Sequence, residues 1–149
     1  MKVVEGDIWE VGANFMVITT NGTLRKDGAC VMGRGTALQA KQRFPGIEYH
    51  LGKALRTDGN KVTVLFKEGK GHNIVAFPVK HNWWEKADLK LIKQSVIELK
   101  ALAEGANSTF ALPIPGIGNG GRTLEEVLPI LEEANLPDNV ILVARKENT

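Results

Sequence analysis

The chain has 149 residues, 43% hydrophobic and 24% charged, a size and balance that fit one globular domain and exclude an extended disordered protein. Its formal net charge of +2 is too small to mark a nucleic-acid-binding protein by charge alone. A lone cysteine, Cys30, excludes an internal disulfide framework and fits a reducing compartment. No run of about 18 apolar residues, signal-peptide core or added targeting segment is read along the chain, so a cytoplasmic protein without a membrane partner is expected.

Taken in chain order, residues 15–20 (FMVITT) form a short β-rich run suited to a buried strand. Over 35–44, Ala37, Leu38, Lys41 and Phe44 share one side of a helix that Pro45-Gly46 ends. Residues 61–67 and 72–79 are strand candidates, with Glu68-Gly69-Lys70-Gly71 as the hairpin turn between them. Asp88 caps a long helix whose inner stripe is Leu89, Ile92, Val96, Leu99 and Ala103, and Gly105 closes it. A strand over 110–114 follows. Thr123 and Glu126 then form a capping box for a helix with Leu124, Val127, Leu128 and Leu131 inward and Pro129 as an internal bend. Residues 140–144 are the last strand. Strands alternating with amphipathic helices predict an α/β fold, a three-layer α/β/α sandwich on a mixed, largely parallel sheet, with residues 1–149 as a single domain.

Ligands of open α/β sheets bind beyond the carboxyl ends of the strands. Two glycine-rich loops are expected there. One runs from Asn21-Gly22 to Gly33-Arg34-Gly35-Thr36-Ala37, and the other is Pro115-Gly116-Ile117-Gly118-Asn119-Gly120-Gly121. Glycines admit positive φ and close backbone approach, and the unpaired N–H groups of a following helix suit phosphate. Two such loops at matching strand ends can grip a diphosphate from both sides; each alone is equally a tight turn. Neither ends in Gly-Lys-Ser/Thr, so ATP hydrolysis is not indicated. Gly33-x-Gly35 also lacks the third glycine of a dinucleotide fingerprint, which ranks a nicotinamide-dependent oxidoreductase last.

Gly6-Asp7-Ile8, the 21–37 loop with its Met32-Gly33-Arg34-Gly35-Thr36-Ala37-Leu38 core, Phe77-Pro78-Val79-Lys80 and the 115–121 loop occur in that order. Together they resemble macrodomains over nearly the whole chain. The resemblance is nearest to the branch with DNA ADP-ribosyl glycohydrolase antitoxins, terminal ADP-ribose glycohydrolases and ADP-ribose-1''-phosphate phosphatases. It implies a cleft for ADP-ribose, or for a nucleotide, DNA or protein that carries it, and no cofactor. In that frame Asp7 accepts from the adenine amino group and the Ile8 N–H meets the ring. Gly33, Arg34, Gly35, Thr36 and Ala37 line the phosphates, while Pro115, Gly116, Ile117, Gly118, Asn119 and Gly120 close over the diphosphate and distal ribose. Asn21 would hold the distal ribose hydroxyls, and Lys80 matches the catalytic lysine that attacks or stabilises the anomeric carbon. From the residues alone, Asp7 and Asn21 are equally turn formers and Lys80 equally a surface strand end.

The resembled enzymes also place an acid two or three residues beyond the second loop, where this chain has Arg122-Thr123. Arg122 instead suits an anionic group. The expected function is therefore a hydrolase acting at the distal ribose, with a non-catalytic ADP-ribose reader as the alternative. His81 is read as a surface residue or an acid–base group. Trp83-Trp84 either stack on a base or sugar or pack over a sheet edge. His50, His72 and Cys30 show no metal-ligand spacing, so no metal is expected, and Cys30 is read as packing.

Overall fold

The computed structural model describes residues 1–65 and 73–145. Among them the strands are β1 (Lys2–Glu5), β2 (Phe15–Thr20), β3 (Thr63–Val64), β4 (Ile74–Pro78), β5 (Phe110–Pro113) and β6 (Val140–Ala144). The helices are α1 (Gly35–Arg43), α2 (Ile47–Asp58), α3 (Leu89–Glu104) and α4 (Leu124–Ala134). The expected turn at 68–71 lies outside the described residues.

The strands join in one sheet ordered β1-β6-β5-β2-β4-β3. All neighbours are parallel except β3, which runs antiparallel to β4. The β-branched and aromatic residues of β2 alternate between its two faces, as the two-residue period of a strand requires. Phe15 and Val17 pack with Phe77, Val96, Leu99 and Leu131 on the α3/α4 side. Met16 and Ile18 pack with Ala37, Ala40, Ile47 and Leu51 on the α1/α2 side. Helices thus cover both faces, giving the expected three layers, and every residue of β4 is buried. Burying each large side chain of these layers, such as Phe77 or Phe110, contributes roughly 1.5–3 kcal/mol.

Local signals fix the helix ends. Asp88 Oδ1 accepts from the Lys90 N–H at 2.9 Å and starts α3. Thr123 and Glu126 form the reciprocal capping box of α4. Pro129 lies within α4, which nonetheless continues to Ala134. Leu124 departs from expectation: it is 47% exposed, and Val127 and Leu131 bury the stripe instead.

Because five strands run parallel, their carboxyl ends share one edge of the sheet. Along that edge stand the residues after β1 (Asp7), β6 (Arg145), β5 (115–121), β2 (Asn21) and β4 (Lys80). Four strand spacings separate the outer two, roughly 19 Å, so this edge suits an elongated ligand.

Candidate functional site

At the β1 end, Gly6, Asp7 and Ile8 join Thr36, Gln39, Pro113, Val143 and Arg145 around a pocket of about 470 Å³, part of it open solvent. Gly6 adopts a φ of 153° and its N–H bonds the Ala144 carbonyl, which sets the turn into Asp7. Asp7 Oδ1 accepts from the Trp9 N–H at 2.9 Å, so one carboxylate oxygen makes the turn and the other remains for an incoming donor. Ile8 is buried and supplies an apolar wall. Gln39 and Arg145 line this pocket without any sequence motif to announce them. Gln39 holds the Trp9 indole N–H at 2.9 Å, and Arg43 covers the Trp9 ring at 4.5 Å.

In the middle of the edge, α1 begins with Gly35 at a φ of 60°, and its N-cap Arg34 makes no side-chain cap. The first-turn N–H groups and the helix dipole are therefore available to an anion. A Cβ at Gly33, Gly35 or Gly118 would meet nothing within 4 Å, so the backbone at these positions is open to a ligand. Thr36 is instead anchored: its Oγ1 accepts from the Thr19 N–H at 3.0 Å, tying α1 to β2. Ala37 is buried in the core, which limits it to a main-chain role at the site.

The 115–121 loop faces α1 and is seated from behind. Pro115, Gly116 and Gly120 are buried, while Ile117, Gly118 and Asn119 are exposed. The Gly120 carbonyl accepts from the Ala87 N–H at 2.8 Å. Arg122 gives Nε to the Ala87 carbonyl at 2.7 Å and Nη1 to Glu126 at 3.2 Å. Its half-buried guanidinium thus braces the loop against protein acceptors through Nε and Nη1. Arg34 spans the gap between the loops, donating from Nη1 to Asn119 Oδ1 at 3.4 Å.

Lys80 occupies the β4 end and is only 7% exposed. Its Nζ donates to the Trp83 carbonyl at 3.2 Å. Burial, and secondarily the Arg34 charge, hold its ammonium below the ordinary lysine value. Of the two sequence readings, the exposed strand-end lysine is ruled out. Asn60, from the segment after α2, donates to the Lys80 carbonyl at 3.1 Å and was not foreseen.

Asn21 lies next to this region, but both ends of its amide have partners within the 21–34 loop. Nδ2 donates to the Val31 carbonyl and Oδ1 accepts from the Thr23 N–H, each at 3.0 Å. The turn-forming role is therefore realised; a second amide N–H remains for a ligand. Cys30 packs here at 1% exposure, and burial pushes its thiol up to about 12, so it is no nucleophile near neutrality. α2 backs the loop: Gly52 lets the Gly28 carbonyl lie directly against the helix. Arg56 donates to that carbonyl at 2.7 Å.

His81 pairs with Asp88 at 2.7 Å, and that hydrogen bond lowers the Asp88 carboxyl below its usual value. Trp83 and Trp84 are not packed over a sheet edge: they are 52% and 63% exposed. Among the described residues no cluster of three His, Cys, Asp or Glu side chains is arranged to hold a metal, and no helix is long and apolar enough to cross a membrane.

No protein-family model matches the chain. It is 31% identical over 143 residues to a DNA ADP-ribosyl glycohydrolase of Mycobacterium tuberculosis, covering 89% of this chain but 38% of that protein's length. In structure it matches Thermosipho africanus DarTG, solved in complex with ADP-ribose, at a TM-score of 0.75 and 23% identity over 99% of this chain and 42% of the other. It also matches the macrodomain of Mycobacterium tuberculosis DarG at a TM-score of 0.79 and 30% identity, over 99% of this chain and 97% of that one. At 30% identity over nearly the whole length of both chains, the chain belongs to the macrodomain family.

Proposed function

We propose that the cleft binds ADP-ribose along the sheet edge and that Lys80 hydrolyses the bond joining its distal ribose to a nucleobase of DNA. The supporting order is physical. The Asp7 pocket suits an adenine, the uncapped α1 terminus and the open glycines suit a diphosphate, and Lys80 stands at the far end. The Mycobacterium relative's activity on ADP-ribosylated DNA favours this linkage.

The single observation that carries catalysis is a buried lysine with a depressed ammonium at the ribose end of the groove. A neutral amine can attack the anomeric carbon, and the proton it loses goes to the departing base. Water then breaks the new carbon–nitrogen bond, releasing ADP-ribose and regenerating the amine. A second reading, an ADP-ribose reader without turnover, is favoured by Arg122-Thr123 in place of an acid. The nearby Glu126 is held by Thr123 and Arg122.

The test is incubation with ADP-ribosylated single-stranded DNA and, separately, ADP-ribose-1''-phosphate, with products resolved by chromatography. Wild type should release ADP-ribose from the DNA, and Lys80→Ala should lose at least about a hundredfold in rate while retaining ADP-ribose binding by calorimetry. Release of inorganic phosphate alone would move the activity to the phosphatase branch. Binding without turnover would establish the reader, and absence of binding would overturn both.

A further inference from the structure

Trp83 and Trp84 stand in water although large indoles ordinarily bury much of their surface. They form an edge-to-face pair with ring centroids 5.8 Å apart. Their backbone is fixed: the Trp83 N–H donates to Thr23 Oγ1 at 2.9 Å, and the Asn82 N–H to Glu85 at 2.9 Å. The Trp83 carbonyl receives Lys80 Nζ, so the pair begins three residues from the reacting end of the groove. A rigid backbone presenting two exposed rings is a stacking platform, since every base has a π-face.

The surrounding charge selects the occupant. The 21–36 loop that tethers Trp83 carries Arg25, Lys26 and Arg34 against Asp27 alone, and Asp27 is engaged by the Tyr49 hydroxyl and Arg25. Beside the indoles, Glu85 caps the Asn82 N–H and Asp88 holds His81, while the Lys86 stem lies along Gly121. A loop with three cations against one carboxylate, tied through Thr23 to two exposed rings, suits a phosphodiester strand with unpaired bases.

We infer that Trp83 and Trp84 bind a base flanking the modified nucleotide of a single-stranded nucleic acid whose ADP-ribose lies in the groove. The inference rests on the reading of Lys80 as the ribose end. It implies that a strand threads past the β4 end and that duplex DNA, with its bases already stacked, binds weakly.

Trp84 makes the cleaner test, because its ring is the more exposed and its removal leaves the Thr23 and Lys80 contacts in place. Affinity for a labelled unmodified oligothymidylate is measured by fluorescence anisotropy, beside a duplex of equal length. Trp84→Ala should weaken the single strand about tenfold, and Trp84→Phe should restore most of it. Turnover is compared on an ADP-ribosylated oligonucleotide and on the ADP-ribosylated nucleoside alone. kcat/KM should fall about tenfold for the first and stay unchanged for the second. Strand-binding that depends on Trp84, in a protein that hydrolyses nothing, would sustain the inference and end the hydrolase reading. Hydrolysis of modified DNA with unaltered strand affinity in Trp84→Ala would overturn the inference alone and leave the indoles to a protein partner. Equal losses on both substrates would also overturn it, since the ring would then act through Lys80.

Discussion

The Arg34 guanidinium joins the two glycine loops by donating to Asn119 Oδ1 at 3.4 Å, and the same charge lies near enough to Lys80 to help depress its ammonium. One exposed side chain therefore links the glycine loops to the Lys80 amine. The coupling has a definite sign. A positive neighbour favours the neutral lysine, so removing it returns the lysine toward its ordinary value of 10.5.

If neutral Lys80 is the nucleophile, kcat/KM should rise with pH along a limb whose midpoint lies below 10.5. Arg34→Ala should move that limb upward, so the variant is slowest relative to wild type near neutrality and approaches it in alkali; Arg34→Lys should shift it less. The folded state binds fewer protons at Lys80 than the unfolded chain between the lowered value and 10.5, so stability from this group rises with pH there. Lys80→Met should accordingly unfold at a higher temperature than wild type at neutral pH, with an advantage that shrinks toward pH 10.5. A pH–rate series and melting curves check both.

The glycine loop separates stability from binding. Gly116 and Gly118 both have left-handed φ values, 82° and 63°. A Cβ at Gly116 would sit 2.6 Å from Ile92 Cδ1 on α3, whereas one at Gly118 would meet nothing within 4 Å. Both alanine variants incur left-handed strain of about 1–2 kcal/mol, and Gly116→Ala adds the cost of displacing the buried Ile92 δ-methyl, up to about 3 kcal/mol. Denaturant melts should therefore rank Gly116→Ala well below Gly118→Ala. Calorimetry should show Gly118→Ala losing ADP-ribose affinity out of proportion to its stability loss, because its methyl projects where the backbone is otherwise open.

Through these loops the backbone framework of the candidate site is legible in the sequence. Glycine spacing before a helix encodes backbone geometry directly, and strands such as β2 and β4 announce themselves by burial on both faces. β1 was missed because an edge strand with Lys2, Val3 and Glu5 exposed has no alternation to read. α2 hides behind Pro45-Gly46, which ends α1 while Gly46 at a φ of 100° also opens the next helix, on whose inner side Ile47, Leu51 and Leu55 recur every fourth residue. Gln39, Asn60 and Arg145 act through tertiary neighbours, which no local pattern records. The Arg122 brace escapes local reading for the same reason, since its acceptor at Ala87 lies 35 residues away.

Asn21 is where the sequence left two roles open and the structure favours a definite test. Its amide bonds the Val31 carbonyl and the Thr23 N–H, which fold the 21–34 loop back on itself ahead of α1. Losing both leaves a half-buried carbonyl and N–H without their partners, a cost of about 1–3 kcal/mol, and each kcal/mol lowers the melting temperature of a domain this size by roughly 2–4 °C. Because the loop also delivers the α1 terminus, Asn21→Ala should weaken ADP, which lacks the distal ribose, and ADP-ribose together. Asn21→Asp keeps the acceptor for Thr23 but turns a carboxylate oxygen toward the Val31 carbonyl, so it should be no better. Calorimetry with both ligands beside a melt decides it. Parallel losses with a lowered melting temperature assign Asn21 to the loop, and a loss confined to ADP-ribose at unchanged stability would assign it to the ribose hydroxyls instead.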